Sequence, residues 1–185
     1  MKLKLYMVLL GCKPKGRHTE QHDVFFGIAP SLKDLIPAFH AFWPEAKGKM
    51  HVDGWREVKN VNGYEVSVKQ KSDNSNTSST QLFFINLGGY KKDEFEEFHY
   101  KLVIAADELT KAIQLAKQTA FFKHTHFEGA ASHIDDKYGI DVDDMYKVED
   151  ILPNEMKENY SITLSKKDHL ETDSIDLGYF KLEKL

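Results

Sequence analysis

LYMVLLGCKPKGRHTEQHDVFFGIA, residues 5–29, decides how this chain is read, because a variant, LFFINLGGYKKDEFEEFHYKLVIAA, returns at residues 82–106. At a fixed offset Leu5 meets Leu82, Leu10 meets Leu87, Gly11 meets Gly88, Glu20 meets Glu97, His22 meets His99 and Ala29 meets Ala106. The apolar pattern also agrees, Tyr6-Met7-Val8 against Phe83-Phe84-Ile85. Short apolar runs bounded by Gly, Pro and Lys read as strands joined by a turn, so each copy predicts a strand pair.

Working outward, Ser31-Leu-Lys-Asp34 resembles a capping box, with Asp in place of the preferred Glu or Gln. Leu32, Leu35, Ile36, Phe39, Phe42 and Trp43 follow at helical spacing and form one apolar stripe. Pro37 falls inside that pattern; an interior proline costs about 3 kcal/mol, so the helix is expected to kink or start late. Residues 51–58 and 64–69 read as two further strands, with Val61-Asn62-Gly63 as the turn between them. The second copy repeats this order, with a helix predicted from Asp107 to His124. A second offset aligns His51 with His133, Asp53 with Asp135, Tyr64 with Tyr146 and Val66 with Val148.

The expected class is α+β: a duplicated strand–strand–helix–strand–strand unit, antiparallel or mixed sheets with two helices, and a C-terminal strand pair. The expected organisation is a first repeat over 1–70, a polar linker or hairpin tip over 71–80 (KSDNSNTSST, without an apolar side chain), and a second repeat over 81–153. An extension over 154–185 then supplies strands at 160–165 and 175–182 that pack on the repeats.

Composition narrows the function. Of 185 residues, 41% are hydrophobic and 29% charged, and the net charge is -4. That is ordinary for a globular domain. No Lys/Arg run is dense enough to grip a phosphate backbone, so nucleic acid is not expected as a partner. No apolar run approaches the roughly 20 residues of a membrane span. Leu9-Leu10-Gly11-Cys12 has the form of a lipoprotein signal. Its apolar core is short, however, and its recurrence as Leu87-Gly88-Gly89 inside the chain favours a core strand and a cytoplasmic protein. Cys12 is the single cysteine, which rules out a disulfide within the chain and any multi-cysteine metal site. No P-loop, GxGxxG, GxSxG or HExxH motif is present, and no cofactor is indicated by motif.

Gly11-Cys12, Glu20-Gln-His22-Asp23 and His51-Val-Asp53 in the first copy, with Gly88-Gly89, Glu97-Phe-His99 and His133-Ile-Asp135 in the second, resemble a bacterial family known as domain of unknown function 1543. The resemblance spans nearly all of residues 3–152 as two tandem copies. It implies a domain and no activity. Tyr100 stands where the first copy has Asp23, so a role for that acid does not transfer between copies.

The polar residues worth testing are Glu20, His22, His51 and Asp53, with Glu97, His99, His133 and Asp135 as their echo. Residues two apart in a strand share a face, so Glu20 and His22 point one way, as do His51 and Asp53. If the strands are neighbours, four polar groups converge. Imidazoles and carboxylates together suit a divalent ion such as zinc, or acid–base chemistry. The preferred reading of the cluster itself is a hydrogen-bonded network that fixes strand register and caps the loop after Gly11. Cys12, Arg17 and His18 form a second set on the first loop; neighbouring cations there would lower the thiol pKa, but the preferred reading is an inert cysteine in a turn. The acidic run Asp135, Asp136, Asp141, Asp143, Asp144 lacks the EF-hand spacing and reads as a solvated turn. Trp43 and Trp55 are candidates to line a cleft. On sequence the preferred reading is a non-enzymatic binding or interaction module of two pseudo-symmetric repeats, taking a small molecule or protein and compatible with a homo-oligomer. The alternative is a small metal-binding protein or enzyme using the Glu/His/His/Asp cluster.

Overall fold

The computed structural model describes residues 2–71, 79–90, 93–119 and 141–185. The chain divides into two compact units, one of Met1–Thr77 with Ile151–Leu185 and one of Ser78–Asp150. The class is α+β with antiparallel sheets, as expected.

In the first unit β1 (Lys4–Cys12) lies between β2 (Gln21–Ala29) and β3 (Met50–Glu57), antiparallel to both. One face of this sheet is apolar: Tyr6, Val8, Leu10, Cys12, Phe25 and Val52 pack under Leu32, Leu35 and Phe39. The alternation along β1 sends every second side chain into that core. Each fully buried Leu or Phe contributes about 1.5–3 kcal/mol relative to exposure. Phe25 and Phe39 meet edge to face, ring centroids 5.1 Å apart.

Pro37 has the effect expected of it. Leu32–Leu35 form a 3-10 turn, and α1 (Ile36–Phe42) starts late with the proline in its first turn, where its missing N–H leaves nothing unbonded. The Asp34 carboxylate accepts from the Ser31 N–H at 3.0 Å, so Asp serves the capping box. Trp43 and Trp55, both partly buried, pack against the first unit's core.

Two expected pairings differ. The turn at Asn62-Gly63, both with positive φ, joins β4 (Asn60–Val61) to β5 (Tyr64–Gln70), while β3 belongs to another sheet. The C-terminal strands do not pair with each other: β9 (Tyr160–Lys166) follows α3 (Asn154–Asn159) and pairs with β5, and β10 (Asp176–Lys181) pairs with the outer edge of β3. Residues 154–185 are therefore built into the first unit. Asp173, 6% exposed, fastens them there, accepting from the Lys59 N–H at 2.9 Å and the Asn60 N–H at 3.1 Å.

The second unit holds β6 (Gln81–Tyr90) between β7 (Glu97–Ala106) and β8 (Asp141–Lys147), again antiparallel. Its core is Phe83, Ile85, Leu87, Ile104 and Ala106 under Ala112 and Ala116 of α2 (Leu109–Lys117). The remainder of the expected helix, to His124, lies outside the described residues, as does most of the expected linker, from 72 to 78. Among the described residues no helix is long and apolar enough to cross a membrane.

Replacing Asp173 with Ala leaves two backbone N–H groups without their acceptor. The expected loss is about 1–3 kcal/mol of unfolding free energy, read from urea denaturation midpoints against the unaltered protein.

Candidate functional site

Gly11 stands at the centre of the site. In β1 it is paired with His22 of β2 on one side and His51 of β3 on the other. Its neighbours Leu10 and Cys12 point into the core, so Gly11 belongs to the opposite face. It has no side chain, and the two imidazoles can close over its backbone. A Cβ built there would fall 2.2 Å from Asp53 Oδ2 and 2.4 Å from His51 Nε2, separations no real Cβ shows. The first requirement of the site is thus a glycine.

The second is a bulge. Leu9 is paired with Gly54 and Leu10 with Val52, which leaves Asp53 as an extra residue in β3. Bulges re-aim side chains, and here the result is that Asp53 swings to the side of His51. Asp53 Oδ2 lies 3.2 Å from His51 Nε2 and 3.1 Å from His22 Nε2. Glu20, one residue before β2, reaches in from the loop, with Oε1 3.2 Å from His51 Nε2 and Oε2 3.9 Å from His22 Nε2. All four residues singled out in the first copy therefore converge.

Burial is graded across the cluster. The His51 side chain is 6% exposed, Asp53 is partly buried, and Glu20 and His22 are open to solvent on one side. Part of the cover over His51 is the Tyr179 ring, 4.2 Å away centroid to centroid and tilted by 31°. Tyr179 reaches this place because β10 is also irregular, with Leu177 opposite Gly54 and Phe180 opposite Val52.

The contacts are close but they are not hydrogen bonds. His51 Nε2 and Asp53 Oδ2 are both buried and neither has a hydrogen-bond partner. An unsatisfied buried polar atom costs about 1–3 kcal/mol.

The remaining candidates fall elsewhere. Cys12 ends β1 with its side chain in the core, and burial pushes its thiol pKa up, with the Glu20 charge adding to the shift. Arg17 and His18 are exposed on the loop and do not offset the desolvation, so the thiol is not activated by them. Asp23 is used locally, accepting from the Val24 N–H at 2.7 Å.

In the second unit Gly88 is paired with His99 on one side, and Glu97 stands beside it. His133 and Asp135 lie outside the described residues. Across from Gly88 on the other side is Asp141, and the following bulge, Leu87 with Val142 and Asn86 with Asp144, leaves Asp143 as the extra residue. Asp143 Oδ2 lies 3.2 Å from His99 Nε2. Asp143 was read on sequence as part of a solvated acidic turn, whereas Asp141, Asp143 and Asp144 lie in strand β8, whose pairing and bulge place Asp143 beside His99. The signal for it was present: Asp141-Val142-Asp143 differs from His51-Val52-Asp53 only in its first letter.

Gly11→Ala tests the geometry. The added methyl must displace His51 and Asp53, at a cost of about 1–3 kcal/mol, and the ring signals of His51 and Tyr179 are expected to shift in a proton–carbon NMR spectrum while those of α1 stay in place.

Residues 17–68 match a family model described as Domain of Unknown Function (DUF1543). No curated protein matches. The crystal structure of a protein Il1583 from Idiomarina loihiensis is similar over 97% of this chain and 97% of that one, with a TM-score of 0.66 and 24% identity. That likeness concerns the fold alone. The matched segment carries Glu20, His22, His51 and Asp53 together, and over residues 17–68 the chain resembles the DUF1543 family, as the motifs of the first copy led us to expect.

Proposed function

We propose that this is a metal-binding protein whose first unit holds a divalent transition-metal ion between Glu20, His22, His51 and Asp53. One observation carries the reading: the buried pair His51 Nε2 and Asp53 Oδ2, 3.2 Å apart and without a hydrogen bond to each other or to anything else. Ligand atoms held by zinc at about 2.0–2.1 Å in a tetrahedron are separated by about 3.3 Å. Three of the contacts in the cluster measure 3.1–3.2 Å. Imidazole nitrogen with carboxylate oxygen is a donor set suited to zinc and its neighbours in the first transition row.

The same geometry favours metal binding over the plain interaction module. A network built only to fix register would place its N–H groups on its acceptors, and His51 does not. Three of the ligands come from strands, whose backbone is fixed by pairing, and Glu20 comes from a loop. Glu20 is thus the ligand that can leave, opening a coordination position for water or a small anionic molecule. We read the second unit as a copy of the same strand arrangement, supported by its matching strand order and by Gly88 and His99 at matching positions.

Zinc titration by calorimetry, with elemental analysis of the dialysed protein, tests the proposal. One equivalent is expected in the first unit, and the metal is expected to raise the melting temperature, since it binds the folded chain and not the unfolded one. His22→Ala, at a half-exposed position, is expected to keep the metal-free stability within about 0.5 kcal/mol and to abolish the metal-dependent rise. Absence of zinc, cobalt and nickel binding by the unaltered protein would sink the proposal. So would undiminished binding by the Asp53→Asn, His22→Ala double variant.

A further inference from the structure

The second unit contains its own group of ligand atoms. His99 Nε2 is 3.2 Å from Asp143 Oδ2 and 3.8 Å from Glu97 Oε2. One ligand atom from each of the three residues lies within 4.8 Å of the other two. A Cβ at Gly88 would stand 2.3 Å from Asp143 Oδ2. The carboxylate is thus seated over a bare glycine backbone beside His99, where the bulge delivers it.

The donor chemistry differs from that of the first unit in a definite direction. There is one imidazole in place of two, and the register position of the buried His51 is taken by Asp141. Glu97, His99 and Asp143 are also all more open to solvent than His51. Carboxylate-rich, solvated positions favour oxygen-preferring ions that keep part of their water shell, whereas paired imidazoles favour zinc, copper and nickel.

We infer that Glu97, His99 and Asp143 form a second cation site, separate from the first and suited to a harder divalent ion such as manganese. The chain then carries two sites of unlike preference on two similarly ordered sheets. The inference stands on different residues from the first site and holds or falls independently of it.

Manganese is the probe, because the free ion has a six-line electron paramagnetic resonance spectrum that is lost on binding. The unaltered protein is loaded with one equivalent of zinc and titrated with manganese. The expected result is uptake of one equivalent. The His22→Ala, His51→Ala double variant, titrated without zinc, is expected to take up that equivalent as well, which separates this site from the first. His99→Ala and Asp143→Asn, at solvent-accessible positions, are each expected to lose the uptake while melting as the unaltered protein does. A free-ion spectrum undiminished by the unaltered protein would overturn the inference. Uptake by His99→Ala equal to that of the unaltered protein would do the same.

Discussion

The side chain that Gly11 lacks is the constraint on which the site depends. β1 is the middle strand of its sheet, and its two faces have different tasks. Leu10 and Cys12, on either side of Gly11, fill the apolar core. On the other face the strand must leave a gap wide enough for His22 from one neighbour and His51 from the other to approach the same Asp53 carboxylate oxygen. Antiparallel pairing puts Cβ atoms of facing residues about 4.5–5.5 Å apart. Here the space that a Cβ on the intervening residue would take is filled by the Asp53 carboxylate and the His51 ring. In a middle strand that is an unusual use of glycine, which ordinarily weakens a sheet.

The electrostatics follow from this packing. With both imidazoles neutral, the four side chains around Gly11 hold two negative charges and two lone-pair donors. They sit at one edge of a buried patch and are partly roofed by Tyr179. Desolvated charges are costly unless paired or bound to metal. A dication bound there, as proposed above, would balance this set and give each of the closely spaced donor atoms a partner. The exposure gradient from His51 to Glu20 gives the group a closed side and an open side.

Much of this was legible in the sequence, and the rest was hidden for identifiable reasons. Glu20 with His22 and His51 with Asp53 were readable as pairs, because strand alternation fixes which residues share a face. Pro37 announced the late start of α1. The bulge at Asp53 was not readable, since nothing in His-Val-Asp-Gly marks where a ladder skips a residue. In the second half, identity drew attention to His133 and Asp135, while backbone pairing puts Asp141 and Asp143 across from and beside Gly88. An alignment rewards matching letters, whereas a sheet rewards matching positions, and Asp141 is a position matched with a different letter. The partners of β9 and β10 were equally hidden. An alternating pattern predicts a strand but says nothing about which distant edge it joins.

The division of the chain has a consequence for how the molecule is made. The first unit begins with the first strand and is finished only by residues 151–185, with the second unit encoded between. During synthesis Ser78–Asp150 emerges whole while the first unit still lacks β9 and β10. The usual order, in which the N-terminal unit matures first on the ribosome, is therefore reversed for this chain. The edge of β3 stays unpaired until the end, and His51 acquires the Tyr179 ring among the last contacts formed. On this ordering the first unit's cluster stays open until β10 has emerged and the Tyr179 ring can reach His51.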